Sequence, residues 1–528
     1  MQKLCPTLHT LLAAAIVLVV HMTASAADDE MSARQTTTRI FTLPLDKISR
    51  RAPMALDEKP VFELHERRQP SQVVELRLDE VRRAILENQL EVHIEKIQPS
   101  IANEFVKEEE ARFNSVFTAS VGGNRTVDFT NLVGNGTSAS IGTRIPLRSG
   151  GSISLSMPVS TQASAGSQLA SAAVTLGFTQ PLLRSAGYRI NTAPLEKARL
   201  SAEQSAARAK LAVMNYLSNA DRIYWRHWAA WQQVDIRYEQ YELAKTQVKY
   251  AEEIVKAGLL ARVDIIRSQS GVARRLEDIL VTEFLRRQTE RELKRIMNRR
   301  DLPLGGQLTL IPANEPELVE LSLVPELVLE QALSNRMDLL NAQLQVVIDA
   351  INNEVAGNQL LPLFSFSLGY TTKNWDTSAG AALQGVRDIR YPDWSLGVSL
   401  EIPFDNAAAR ARLRSAALQK ASNLETLTMR QRQIHKDVLD SLDQLEQSTQ
   451  RILAARNEIR TANEIYAAEL EQFKHGLSTS TDVLNAAQMI ADAKIRNVNA
   501  IVDYELAKVD VAYATGTTLG YAGIELVR

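Results

Sequence analysis

The sequence has one cysteine, Cys5, among its 528 residues. Cys5 precedes an apolar run, Leu11 to Val20, and that run is followed by the small residues Ala24-Ser25-Ala26. This order is typical of a secretory signal peptide that is removed at a small-x-small site. We therefore predict a signal peptide over 1–26. The mature chain is then expected to lack disulfides, thiol chemistry and a cysteine that could carry a lipid.

The sequence also lacks three other features: long apolar runs, an excess of one charge and the motifs of enzymes. After the signal peptide no stretch approaches 18 consecutive apolar residues, which excludes a transmembrane α-helix. Lys and Arg number 60 against 62 Asp and Glu, for a net charge of −2, so no nucleic-acid partner is indicated. The seven histidines lack metal-ligand spacing, and there is no P-loop, dinucleotide fingerprint or nucleophile elbow. We expect no enzyme, no metal and no cofactor.

The chain contains an internal duplication. The stretch "KAGLLARVDII" from Lys256 and the stretch "KHGLSTSTDVL" from Lys474 share a Lys-x-Gly-Leu turn and a following aspartate. Likewise, "LENQLEV" from Leu86 aligns with "LSNRMDL" from Leu333, and the same offset carries Phe117 onto Phe364. Two copies of one unit are predicted, each running helix, strand, loop, strand, long helix, turn, long helix.

Heptad spacing marks the long helices. The residues Val438, Leu445, Ile452, Ile459, Tyr466 and Phe473 follow one another every seven positions, and five of their six counterparts from Ala220 to Val255 are apolar. His227, the exception, is expected at a seam or interface. A strict seven-residue repeat predicts a narrow seam of coiled-coil packing against a partner helix. Each long helix could reach about 100 Å at 1.5 Å per residue, which is far longer than a globular helix.

Other segments alternate with a period of two and predict strands. Phe364, Phe366, Leu368 and Tyr370 alternate with small polar residues, and the same pattern recurs from Trp394 to Ile402. One apolar face and one small, polar face suit a barrel wall with lipid outside and water inside. An ordinary half-buried sheet gives the same alternation, so this pattern alone leaves both interpretations open.

These signals divide the chain into six segments. After the signal peptide we predict a poorly ordered extension over 27–75 and a first repeat over 76–300, with a linker at 301–322, a second repeat over 323–519 and a tail over 520–528. The first repeat is predicted to hold strands at about 113–122 and 172–180, an inserted hairpin at about 138–158 on the loop side, and a helical tip at 258. The second repeat is predicted to hold strands at about 362–371 and 393–402 and a tip at 476. Pro181 and Pro403 are predicted to mark the strand-to-helix turns.

The duplicated unit resembles the TolC family of outer-membrane efflux channels. The pieces that carry the resemblance are "LDEVRRAILENQLEV", "NRMDLLNAQ", "GFTQPLLRSAG" and the paired Gly-Leu…Asp turns, over about residues 76–519. The family's Arg-Pro-Asp-Leu segment has Met337 in place of its proline here. The resemblance implies a mainly α fold with a β-barrel portion. Three chains would form a twelve-stranded outer-membrane β-barrel that continues into a long periplasmic α-helical coiled-coil barrel.

The number of strands argues for assembly of several chains independently of the resemblance. Four or six strands are fewer than the eight of the smallest single-chain barrels. An open sheet in lipid leaves about five unpaired backbone groups on each edge, at several kcal/mol apiece. That sum exceeds the typical net stability of about 5–15 kcal/mol, so strands in a membrane must close with other chains.

The resemblance also assigns roles at the tips. Gly258, Leu259, Gly476 and Leu477 would dock a periplasmic adaptor, although packing within the turn also explains both leucines. Asp482, with Asn485 one helical turn on, and Asp264 at the equivalent first-repeat position would line a pore constriction. A favourable charge at a helix N-terminus explains either aspartate as well. Phe473 stands where the family carries a tyrosine whose hydrogen bond helps to hold the closed state, and a phenylalanine cannot form that bond.

The prediction is an outer-membrane exit duct of a Gram-negative bacterium that extends into the periplasm. It would serve a tripartite efflux or type I secretion system as a homotrimer in contact with outer-membrane lipid, a periplasmic adaptor and an inner-membrane transporter. The alternative is a soluble periplasmic coiled-coil scaffold or adaptor. Four aromatic residues near Trp228 are predicted to pack rather than to bind a ligand, and four near Trp394 to form an interfacial girdle.

Overall fold

A computed structural model describes residues 72–127, 133–164, 167–258, 261–305, 308–389 and 391–524. The predicted signal peptide and most of the predicted extension lie outside these residues and stay predictions. Within the ranges described, no helix is both long enough and apolar enough to cross a membrane.

Two repeats of the same element order follow one another. The first repeat consists of α1 (Leu78–Asn88), α2 (Leu90–Ala111), β2 (Val116–Val127), β3 (Val133–Pro146), β4 (Ser152–Ser164), β5 (Ser167–Pro181), α3 (Tyr188–Lys256) and α4 (Val263–Met297). The second consists of α5 (Pro325–Asn335), α6 (Met337–Asn358), β7 (Leu363–Asp376), α7 (Ala379–Arg387), β8 (Pro392–Glu401), α8 (Ala407–Lys474) and α9 (Ser480–Ala514). Each repeat opens with a helix pair where the sequence predicted one helix. The long helices α3 and α8 have 69 and 68 residues, and α4 and α9 have 35 each.

One antiparallel sheet contains six strands in the order β2-β3-β4-β5-β7-β8. The predicted inserted hairpin is present as β3 and β4, and these strands lie between β2 and β5 rather than on the loop side. Each chain therefore contributes six strands to the sheet. This corrects the count of four per chain on which the predicted twelve-stranded barrel was based. The two repeats differ here, because the second has the short helix α7 where the first has the hairpin.

Segments that the sequence left without structure complete the core. Strand β1 (Gln72–Leu76) pairs in parallel with β6 (Leu308–Pro312). The first lies at the end of the predicted extension and the second inside the predicted linker, so both segments are partly strand. Helix α10 (Thr518–Tyr521) crosses from the predicted second repeat into the predicted tail, and the guanidinium carbon of Arg82 lies 5.2 Å from the ring centroid of Tyr521.

The heptad seam of the long helices is buried as its period requires. Val438, Leu445, Ile452 and Phe473 are buried on α8, while Ile459 and Tyr466 are partly buried. Ion pairs flank this seam, such as Arg451 to Asp503 of α9 at 2.6 Å. Both partners of that pair are exposed, so its contribution is at most about 1 kcal/mol and the apolar seam provides most of the packing energy.

Arg336 explains the junction between α5 and α6. It has an extended backbone, with φ −70° and ψ 119°, and caps both helix ends. Its guanidinium forms ion pairs with Asp338 at 2.7 Å and with Asp437 of α8 at 3.1 Å. Burial raises the pKa of Asp338, but the hydrogen bond and the charge of Arg336 lower it by more, so this pKa lies below its ordinary value. No proline is needed at position 337 to end α5, because the ion pairs of Arg336 stabilise the extended backbone between the two helices.

The turn that joins β3 to β4 docks on the start of α3. The N–H of Gly187 donates to the carbonyl of Ser149 at 3.0 Å, and the Gln180 amide donates to the same carbonyl at 3.0 Å. Gly150 has φ +92°, and a Cβ placed there would lie 2.3 Å from the carbonyl oxygen of Ser185. The hairpin turn is thus fixed at the helical end of the sheet, in a site that only glycine fits.

Replacing Gly150 with valine should disrupt this docking. The left-handed backbone alone costs about 1–3 kcal/mol for a residue with a Cβ, and the contact with Ser185 adds to that cost. We expect a lower yield of folded protein and a lower midpoint for thermal loss of its circular dichroism signal. Gly305→Val is the matched control, because no heavy atom lies within 4 Å of a Cβ built at Gly305. Equal midpoints for the two variants would contradict the docking role.

Candidate functional site

Both helical hairpins reverse at a left-handed glycine. Gly258 has φ +78° and Gly476 has φ +72°, and a Cβ at either would meet open space. At the second tip the N–H of Gly476 donates to Phe473 and that of Leu477 donates to Gln472, at 3.0 and 2.9 Å. This pair of bonds is a Schellman motif, which ends a helix cleanly at a glycine. Backbone conformation, rather than space, is what requires glycine at the two tips.

The second tip presents an apolar side chain to solvent. Leu477 is 79% exposed, and the neighbouring C-cap residue His475 is also exposed. Leu259, its predicted counterpart at the first tip, lies outside the residues that the structure describes. An exposed leucine at the end of a hairpin is available to a partner, whereas packing within the turn would have buried it.

Asp482 closes a capping box at the start of α9. Its carboxylate accepts bonds from the Thr479 hydroxyl at 2.6 Å and the Thr479 N–H at 3.0 Å, while the Asp482 N–H donates back to the Thr479 hydroxyl. These bonds, first among them that of the Thr479 hydroxyl, lower the pKa of Asp482 below its ordinary value. The side chain stays exposed, as does that of Asn485 one turn on. A fixed negative charge and an amide therefore share one open face of the tip.

Asp264 occupies a different environment, although it is the first-repeat equivalent of Asp482. It is only 6% exposed and pairs with Arg267 at 3.2 Å. The backbone carbonyl of Asp264 accepts from the Ser268 hydroxyl at 2.9 Å. Burial and pairing remove this carboxylate from any open face, so the structure does not support the expectation that Asp264 lines a constriction.

A buried polar contact joins the two tips. The hydroxyls of Ser268 on α4 and Ser480 on α9 lie 2.6 Å apart, and both residues are fully buried. Since the Ser268 hydroxyl already donates to Asp264, that of Ser480 donates to Ser268. One turn on, Gly271 gives room to the Leu484 side chain, whose Cδ1 would lie 2.9 Å from an added Cβ. The position of one hairpin is thereby linked to that of the other.

Phe473 is wholly buried between the two hairpins. It packs with Ala251 of α3 and Val483 of α9, with Ile254 and Ile265 around them. A phenyl ring in this site holds the second tip against the first by apolar contact and needs no hydroxyl. Dispersion contacts of this ring therefore stabilise the packing of the second tip on the first.

Replacing Phe473 with alanine should loosen the tip. A buried Phe→Ala change costs about 3–5 kcal/mol, and here that loss falls on the contact between the hairpins. We expect faster amide hydrogen exchange over residues 466–490 and proteolytic cleavage near Gly476. The same substitution at Phe404, a fully exposed phenylalanine, serves as the control. If both variants exchange alike at the tip, Phe473 does not hold the hairpins together.

The sheet has two chemically different faces. On one face apolar side chains stand exposed on every strand, and they include Phe117, Ile141, Leu155, Leu176, Leu368, Leu396 and Val398. The opposite face is lined by hydroxyls and glycines that pair across strands, such as Ser120 with Ser140 at 2.8 Å and Ser160 with Ser171 at 2.8 Å. An exposed apolar face over six strands is far larger than a soluble single protein tolerates.

The aromatic residues near Trp394 divide between these faces. Tyr370 and Trp394 are register partners on the apolar face. Trp375 is on the opposite face, where its register partner is Ser171, and its ring centroid lies 6.3 Å from that of Tyr391. Only Tyr370 and Trp394 of the four predicted girdle residues thus share the apolar face within the strands.

The four aromatics near Trp228 pack around β1 and β6, as predicted. The Tyr224 hydroxyl donates to the Leu76 carbonyl at 3.1 Å, and the Trp231 indole N–H donates to that of Leu310 at 2.8 Å. His227 contacts the same Leu310 carbonyl at 3.0 Å, and burial lowers its pKa to about 4. These residues are core, and the described part of the chain holds no cluster of His, Cys, Asp and Glu fit for a metal ion.

Comparisons with known proteins agree with this architecture. Residues 328–517 match the family model of the outer membrane efflux protein. Nodulation protein T of Rhizobium leguminosarum bv. trifolii is 24% identical over 343 residues, which are 62% of this chain and 68% of that protein. Outer membrane protein TolC of Vibrio cholerae is 24% identical over 193 residues, 36% of this chain and 43% of its own length. The CmeC outer membrane channel of Campylobacter jejuni has a TM-score of 0.65 at 15% identity, over 84% of this chain and 86% of that one.

The long helical hairpins and the two-faced sheet give this chain the fold of the outer-membrane channel it matches. The matches identify the chain as TolC-like, which confirms the predicted resemblance, and they support an outer-membrane efflux channel located in the outer membrane and reaching into the periplasm. The matching family is one of channel proteins rather than enzymes. The alternative of a soluble periplasmic scaffold is not favoured.

Proposed function

We propose that this chain works as a homotrimer and forms the exit duct of a tripartite export system. The observation that carries the proposal is the open sheet with one exposed apolar face. Within the described residues β2 and β8 each pair on one side only. Every unpaired backbone group costs several kcal/mol in hydrocarbon, so edges of 12 and 10 residues would together cost tens of kcal/mol.

Identical copies of the chain, arranged in a ring, can remove both edges. Strand β2 of one subunit would pair with β8 of the next, and repetition around an axis closes the wall. Resemblance to the TolC family supports three subunits. The apolar face would then meet lipid, the hydroxyl face would line water, and the helices would continue the duct into the periplasm.

The tips serve two roles in this proposal. Three-fold symmetry would bring three Asp482 carboxylates and three Asn485 amides together around the axis, as a constriction that attracts cations. Leu477, at the far end of each α8–α9 hairpin, would contact a periplasmic adaptor. Resemblance to the TolC family supports an inner-membrane transporter as the source of energy.

Planar-bilayer conductance tests the channel and its constriction together. The purified trimer should conduct and prefer cations, and Asp482→Asn should raise conductance or reduce the preference for cations. Because the hydrogen bonds from Thr479 lower the pKa of Asp482, the preference should persist through mild acid and fade only below the ordinary range of an aspartate, about pH 4.

Asp443→Asn is the matched control, since Asp443 is an exposed aspartate on α8 far from the tip. Currents unchanged by Asp482→Asn would remove that residue from the constriction. A single subunit that stays monodisperse in buffer without detergent, and gives no current, would rule out the channel itself.

Replacing Leu477 with lysine should abolish export while leaving the trimer and its insertion intact. The change puts a charge in the middle of an apolar contact and leaves the left-handed Gly476 turn unaltered. Export by cells and the amount of trimer in the outer membrane are the two measurements. Leu477→Met, which keeps the apolar surface, should export normally. Normal export by the lysine variant would exclude docking through this residue.

A further inference from the structure

The hairpin β3–β4 is built as part of the wall. Its strands pair with both neighbours over their whole length, without a break from Val116↔Arg144 to Val127↔Val133 on one side. On the other side the ladder runs from Ser152↔Thr179 to Ser164↔Ser167 and is interrupted only between Ser156 and Val159. A loop excursion above the sheet would not span the whole length of β2 and β5. The hairpin therefore separates two strands that would otherwise be neighbours.

The hairpin also repeats the two faces of the sheet. Ile141 and Leu155 are about as exposed on the apolar face as Leu176 and Leu368, with values of 45%, 44%, 48% and 46%. On the opposite face Ser140 contacts Ser120 and Ser160 contacts Ser171. Inward residues of the hairpin are small and hydroxylated, as in the rest of the sheet. Both added strands thus carry the pattern of a wall between lipid and water.

We propose that this hairpin widens the outer-membrane end of the duct to eighteen strands, so that it passes bulky water-soluble solutes which a twelve-stranded end would exclude. The proposal rests on the trimer proposed above. Strand spacing of about 4.8 Å and a tilt of about 40° give a backbone radius of about 12 Å for twelve strands and about 18 Å for eighteen.

Side chains narrow both openings by the same amount. Allowing about 5 Å of wall on each side, half the spacing of packed sheets, leaves a lumen about 14 Å wide with twelve strands and about 26 Å wide with eighteen. Glycines and serines on the inner face, such as Gly177, Gly369 and Ser367, favour the larger value because their side chains are short. The sheet would then cease to limit solute size, and the helical tip would take over that role.

Deletion of residues 133–164 provides the comparison. It removes both hairpin strands and leaves residues 128–132 and 165–166 as a short connection between β2 and β5. Those two strands run antiparallel, so they can pair directly. Pairing an odd-numbered residue of β2 with an even-numbered residue of β5 keeps the apolar side chains on one face. The variant should form a trimer with twelve strands.

Size-graded labelling measures the lumen without depending on the tip. In a Cys5→Ser background, Ser367→Cys places one thiol on the inner face, and maleimides on poly(ethylene glycol) of graded size are applied outside intact cells. We expect reagents about 20 Å wide to label the full-length chain and to fail with the deletion variant, while narrow reagents label both. Thr377→Cys, exposed beyond the end of β7, should react with every size in both backgrounds.

Equal size limits in the two backgrounds would overturn the proposal. Failure of the trimer itself has a different signature, because a single open sheet would leave the thiol at position 367 accessible to every reagent. Should the deletion variant not fold, strands can be counted directly by electron cryo-microscopy of the unaltered trimer. Eighteen strands support the proposal, and twelve strands, from four per chain or from a dimer, refute it.

Discussion

The closure of backbone hydrogen bonds is the constraint on which the rest of this structure depends. In hydrocarbon an N–H or a carbonyl has no water to bind, so a sheet that faces lipid must have no free edge. Within the part of the chain that the structure describes, one subunit supplies six strands and leaves an edge at β2 and another at β8. The exposed apolar face is unfavourable in water, and the unpaired edges make a single chain unfavourable in lipid. The proposed assembly of identical copies would remove both costs.

Both helical hairpins come from the duplicated unit. Two hairpins of nearly equal length, α3–α4 and α8–α9, reverse at glycines with nearly the same φ angle. Their tips have nevertheless diverged in chemistry. Asp264 is buried against Arg267, whereas Asp482 caps its helix on an open face. The aspartate of the first copy is thus part of the packed tip, whereas that of the second copy leaves its charge exposed to solvent.

The first repeat departs from the second chiefly at the sheet. A hairpin with both faces of the wall pattern is inserted there, and its turn is fixed by Gly150 and Gln180 against the start of α3. The added strands are therefore attached directly to the junction between β5 and α3. The second repeat has α7 in the corresponding place, where Ala382 and Val386 pack over Ala170 and Ala172 of β5. The two halves of one duplicated unit thus build different parts of the outer end.

The sequence by itself determined the duplication, the heptad seams, the two-faced strands and the glycine tips, because each depends on a short local period or on a backbone angle that few residues adopt. Tertiary structure alone decided the rest. The burial of Asp264 and the exposure of Asp482 follow from how the two hairpins pack against each other, and identical spacing in the sequence cannot show it. The pairing of β1 with β6 joins segments more than 200 residues apart, for which no local pattern exists. The position of the hairpin within the sheet depends on the partner that each strand finds, since alternation shows which face a residue occupies and is silent about its neighbour.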